Sequence, residues 1–117
     1  MYFDRKWWGI QNMDWTGYYI KTGRYVPVDL LLDKETFYSK NDTVTYPIMG
    51  AFTEWLITVY GIERFLEMYR KQDMETAMNE VYHKSLEELN RNFTNYVRLF
   101  PIDEVIEQRM KDLQTNV

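Results

Sequence analysis

From Tyr46 to the end of the chain, apolar residues recur at helical spacing, interrupted only by residues that start or stop helices. That pattern limits the fold more than any total does, because short amphipathic helices with brief connections bury their stripes only against one another. The spacing predicts a mainly α fold, a compact bundle of four or five short antiparallel helices at about 47–60, 62–71, 74–82, 85–100 and 101–114. An irregular aromatic-rich amino-terminal segment precedes it.

The punctuation supplies the boundaries. Pro47 suits a first helical turn, where its missing N–H costs nothing. Ile48, Met49, Phe52, Trp55, Leu56, Val59 and Tyr60 then form one stripe. Gly61 ends it with the residue that tolerates left-handed geometry. The second helix is expected to bury Ile62, Phe65, Leu66 and Tyr69, and the third Met74, Ala77, Met78 and Val81. Ser85 with Glu88 three residues later forms a capping box, and Leu86, Leu89, Phe93, Tyr96, Val97 and Phe100 fall on one face behind it. Pro101 stops that helix and opens the last, with Ile102, Val105, Ile106, Met110 and Leu113 inward. Glu67–Lys71, Glu80–Lys84 and Glu107–Lys111 have the favourable acid-first order four residues apart.

Residues 1–45 show no sustained period. "GYYIKTGRYVPVDLLL" opens as helix or strand and is then broken by Gly23 and Pro27. The residue before Pro27 is biased to extended backbone, so "RYVPV" reads as an extended connector and "DLLLDKETFYS" as a short helix or turn. At 117 residues the whole chain, 1–117, reads as one domain, divided into this segment and a helical core from 46 onward.

The net charge of −4 argues against nucleic acid or an anionic membrane as partner. No cysteine is present, which removes disulfides and thiolate chemistry. No apolar run reaches the roughly 18 residues of a spanning helix, and "MYFDRKWWGIQNMDW" does not read as a signal peptide. A soluble protein is expected, with the compartment left open.

Chemistry-bearing residues are sparse. His83 is the single histidine; catalytic zinc takes three protein ligands at about 2.0–2.3 Å, and no carboxylate pair at suitable spacing joins it. Its place in "VYHKS", where a helix ends, fits a cap. Glu87/Glu88 and Asp103/Glu104 sit in first helical turns, where negative charge suits the helix dipole. Adjacent helical residues also point about 100° apart, so neither pair converges. Ser39 and Ser85 lack the flanking glycines of a nucleophile elbow, and "KTGRY" is no phosphate cradle. The amino-terminal aromatics carry more promise. Trp7, Trp8, Trp15, Tyr18 and Tyr19 are interleaved with Arg5, Lys6, Lys21 and Arg24. They make either an interaction surface for a peptide or glycan, or the lid of the helical core.

The span "YIKTGRYVPVDLLL…FYS…YPIMGAFTEWLITVYGIERFLEMYRK…METAMNEVYHKSLEELNRNFTNYV" resembles the carboxy-terminal helical part of peptidase MA-like proteins, the gluzincin-type zinc metallopeptidases of bacteria. The resemblance runs from about Ile20 to Val97. It rests on Gly50, Phe52, Leu56, Tyr60, Gly61, Phe65, Leu66, Tyr69, Ala77, Val81, Tyr82, Ser85, Leu86, Leu89, Phe93 and Tyr96, which are packing and capping positions. His83 departs from it, standing where glycine is frequent, and Phe93 stands where tryptophan is common. The family's HExxH and its "EGxAxY" glutamate do not occur in these 117 residues. The resemblance therefore carries over no catalytic, metal or cofactor-binding residue. It implies a non-catalytic accessory domain whose partner is a catalytic metallopeptidase domain or a second copy, through a face expected to be unusually aromatic.

Overall fold

The computed structural model describes residues 6–7, 10–31, 39, 42–70, 74–100 and 102–115. Two two-residue strands, β1 (Lys6–Trp7) and β2 (Ile10–Gln11), pair antiparallel with Lys6 opposite Gln11. Seven helices follow among the described residues: α1 (Asn12–Thr22), α2 (Val28–Leu31), α3 (Asp42–Tyr60), α4 (Ile62–Tyr69), α5 (Met74–Tyr82), α6 (Leu86–Arg98) and α7 (Glu104–Thr115). The protein is mainly α, as its periodicity predicts.

α1 lies within the segment whose sequence shows no period. Its buried face is Asn12, Trp15, Thr16, Tyr18 and Tyr19, a helical stripe with two polar members, so a search for apolar periodicity passes over it. Thr16 is satisfied in place, its Oγ1 donating to the Asn12 carbonyl at 2.9 Å and reaching the Pro47 carbonyl at 3.5 Å. Gly23, at φ 76°, caps the helix, and Arg24 N–H donates to the Tyr19 carbonyl at 2.8 Å.

The connector after α1 has no regular structure over 24–27 and is tied to α6 by one side chain. Asn90 Oδ1 on α6 accepts the Tyr25 hydroxyl at 2.5 Å and the Val28 N–H at 3.0 Å. Burial chiefly raises the Tyr25 phenol above its ordinary pKa of 10.0, which keeps the donor protonated. The remainder of "DLLLDKETFYS" from Leu32 to Tyr38 lies outside the described residues, as does Lys40.

α3 begins at Asp42, five residues ahead of the Pro47 start that the sequence suggests, with Pro47 inside it. Near a helix start the loss is one donor, to the Thr43 carbonyl. α1 packs across α3, and at Gly50 the two are in close contact. A Cβ there would overlap Asn12 Nδ2 and stand 3.1 Å from Asn12 Cγ.

Beyond Gly61 (φ 96°) the chain turns into α4, which with α5 closes one end of the molecule. His83 follows α5 in left-handed backbone, φ 58°. Ser85 then caps α6, its Oγ accepting the Glu88 N–H at 3.1 Å, and Lys84 bridges to Glu88 at 3.3 Å. α7 starts at Glu104, later than the expected 101, because Asp103 serves as its cap: Oδ1 accepts the Val105 N–H at 2.8 Å.

An aromatic spine ties the helices. Phe93 on α6 meets Phe52 edge-on at 5.4 Å and Trp55 at 5.7 Å, and Tyr60 contacts both Trp55 and Tyr82 of α5. Trp15 stacks on Tyr19 at 5.9 Å. Such pairs add about 0.5–1.5 kcal/mol each beyond burial.

Six expected core positions lie outside. On α4 only Phe65 and Met68 are buried, while Ile62, Leu66 and Tyr69 are exposed. The apolar arc of this helix is wider than the edge it presents to α3 and α5. Val105, in the first turn of α7 beside the Asp103 cap, is 71% exposed, while Met110 of the same stripe is in the core. Val59 is half exposed, one residue from the end of α3. Phe100 stands out because α6 ends at Arg98.

These local geometries give three expectations. Gly50→Ala should destabilise by about 1–3 kcal/mol, since the buried Asn12 must shift. Gly17→Ala, whose Cβ would meet Val97 and Ile102 at an ordinary 3.5–3.6 Å, should stabilise by about 0.5–1 kcal/mol. His83→Gly should stabilise by about 1 kcal/mol by relieving left-handed strain. Urea unfolding of the three variants checks all of them. A fourth concerns alkali: burial, with Tyr60 alongside, pushes the Tyr82 phenol up from 10.0 to about 12. Above pH 10 the unfolded chain releases this proton while the folded one keeps it, so stability falls between pH 10 and 12. Melting curves across that window should fall less steeply for Tyr82→Phe.

Candidate functional site

The five aromatics singled out from the sequence do not share one environment. Trp15, Tyr18 and Tyr19 are core residues, at 1%, 4% and 0% exposure. Arg24 lies over the two tyrosines, 5.4 and 5.7 Å from their ring centres, and its Nη2 donates to Tyr18 Oη at 3.2 Å. This is cation–π packing at the edge of a core. The backbone of Trp7 is in β1, and its side chain and all of Trp8 lie outside the described residues.

The polar candidates are dispersed. His83 sits exposed in its turn, Ser85 is a cap, Glu87 and Glu88 occupy the first turn of α6, and Asp103 and Glu104 open α7. Ser39 is exposed. Among the described residues no three of His, Cys, Asp and Glu come together in a way that could hold a metal ion. No described helix is long and apolar enough to cross a membrane.

Two surface features remain, and both join parts of the chain distant in sequence. The first is the outer face of α4. Ile62, Leu66 and Tyr69 recur at four and three residues, so they line up on one side. Beside them a small apolar pocket of about 130 Å³ opens among Met49, Phe52, Thr53, Leu56, Phe65, Met68, Tyr69 and Met78. Its lining from α3, α4 and α5 is almost wholly apolar, and methionine side chains adapt to what they meet. Chemically this surface can bind apolar side chains and little else.

The second feature is a cleft of about 450 Å³ between α1 and the end of α6. Gly17, Ile20 and Lys21 form one wall, Val97, Arg98 and Phe100 the other, and Ile102 closes it. Lys21 Nζ bridges to Glu107 Oε1 on α7 at 2.8 Å. That hydrogen bond raises the Lys21 pKa and lowers that of Glu107, so both stay charged. Nearby, partial burial and then the charge of Asp103 raise the Asp14 carboxyl. Arg98 has a different situation: its Nη1 reaches Asn95 Oδ1 at a long 3.5 Å.

Sequence reasoning does not find this cleft, since its walls are about eighty residues apart. The local signal is Gly17 inside an otherwise aromatic helix, which leaves room where a side chain would fill. No family model, curated protein or solved structure matches the chain.

Proposed function

We propose that this chain is a non-catalytic accessory domain that works by docking α4 onto another folded surface, either a catalytic metallopeptidase domain or a second copy of itself. The observation that carries this reading is the stripe Ile62, Leu66 and Tyr69. Its sequence pattern is that of a core helix, yet all three side chains are exposed. An apolar arc wider than the chain's own core can use is what a partner would cover. The adjoining pocket offers a place for one apolar side chain of that partner.

The resemblance to the carboxy-terminal part of peptidase MA-like proteins supports the same role, because in that family this region backs a catalytic domain and holds no zinc ligand. Dispersed carboxylates and a single histidine engaged in a turn fit a supporting role better than a reacting one.

Light scattering on a sizing column tests the self-association arm. We expect the wild-type chain to associate as its concentration rises, and Leu66→Glu and Tyr69→Glu to be monomeric. Both positions are exposed, so unfolding free energies should change by no more than about 0.5 kcal/mol. Zinc should alter neither the melting temperature nor peptidase activity. A zinc-dependent gain in either overturns the reading. A wild-type chain that stays monomeric at millimolar concentration removes the second copy as partner.

A further inference from the structure

The cleft between α1 and the α6–α7 turn is independent of the α4 surface and has a different chemistry. Its volume of about 450 Å³ lies within the ~300–1,000 Å³ of small-molecule sites. Gly17, Ile20, Val97 and Ile102 give it an apolar side next to a polar one, and Phe100, half exposed at the end of α6, extends the apolar side toward solvent. The charged groups that line it are both cations, Lys21 and Arg98.

The two cations are not equivalent. Lys21 is committed to Glu107 at 2.8 Å. Arg98 has no carboxylate partner among the described residues, only the long hydrogen bond to Asn95. The acids of this region, Asp14, Asp103, Glu104 and Glu107, are not among the lining residues. A cleft with one apolar side and one uncommitted guanidinium on its polar side suits a molecule that carries a single carboxylate on an apolar body. The planar fork of arginine takes such a group through two parallel hydrogen bonds, and a cationic ligand would meet repulsion from both lining charges.

We propose that this cleft binds a small monocarboxylate with an apolar body, the carboxylate on Arg98 and the body between Gly17, Ile20, Val97 and Ile102. An aliphatic acid and the carboxyl end of an apolar peptide share this chemistry.

The test is a backbone-amide NMR titration of the full chain with octanoate, 1-octanol, acetate, and N-acetyl-Leu-Phe as free acid and as amide. Octanoate or the free-acid dipeptide should move the amides of Gly17, Ile20, Val97 and Ile102 and saturate. Tighter binding of octanoate identifies the aliphatic source, and tighter binding of the dipeptide acid the peptide source. Octanol and the dipeptide amide should bind about tenfold more weakly than their acids, the worth of one charge-assisted pair, and acetate should not saturate. Arg98→Gln should lose the same factor and Arg98→Lys should recover part of it. Asn95→Asp gives Arg98 a carboxylate within its own helix and should weaken octanoate without removing the guanidinium. Equal binding of acid and neutral analogue, shifts confined to α4, or no saturation by either acid overturns the proposal.

Discussion

The close crossing of α1 and α3 at Gly50 is the constraint on which the rest of the structure depends. Without a side chain at that position, α3 comes near enough for the buried Asn12 side chain to lie against its backbone. The same approach lets the Thr16 hydroxyl reach the Pro47 carbonyl one turn earlier. Once the two helices meet there, Trp15 and Tyr19 are enclosed on one side, and Phe52 and Trp55 are presented to α6 on the other. Asn90 then draws the 24–28 connector down onto α6. The polar residues that the crossing buries are what make α1 hard to see in sequence, and they also fix its register. An apolar stripe could slide, whereas Asn12 opposite Gly50 has one place to go.

How much of this was legible depends on whether the signal was local. The end of α3, all of α5 and the start of α6 follow from Gly61, the Met74–Tyr82 stripe and the Ser85 cap, because each is decided within a few residues. The starts of α3 and α7 differ from their sequence signals for a related reason. Proline marks a helix opening in both, but Pro47 is tolerated a turn further in, and Asp103 caps α7 after residue 101. His83 is instructive. It stands at φ 58°, backbone that glycine adopts more readily than any other residue, so its place at the end of α5 carries backbone strain. The cleft had no local signal at all, since Gly17 and Val97 become neighbours only when α1 packs against α6.

The outer face of α4 shows the complementary limit. Periodicity states which residues of a helix are apolar but says nothing about what covers them. The pattern Ile62, Phe65, Leu66, Tyr69 is that of a core face, and the structure splits it, with Phe65 inside and the other three outside. Leu30 and Val105 are exposed as well, but singly, as is common on protein surfaces. Alignment on one face beside an apolar pocket is what distinguishes the α4 stripe from these.

Magnitudes then say what kind of partner the stripe can hold. Fully burying Ile62, Leu66 and Tyr69 contributes at most about 1.5–3 kcal/mol per side chain, and each already has part of its surface covered. Association costs about 4–15 kcal/mol in lost freedom. Three partly buried residues therefore offset only the lower end of that cost, and α4 alone would give weak binding. A stable complex requires the partner to add contacts of its own, and the nearest place for them is the pocket among Met49, Leu56, Met68 and Met78. A projecting apolar side chain seated there would be enclosed by the same residues that close this end of the core. Binding and the internal packing of α4 against α5 would then strengthen together, so occupancy of that pocket, more than the area of the stripe, separates a lasting partner from a passing contact.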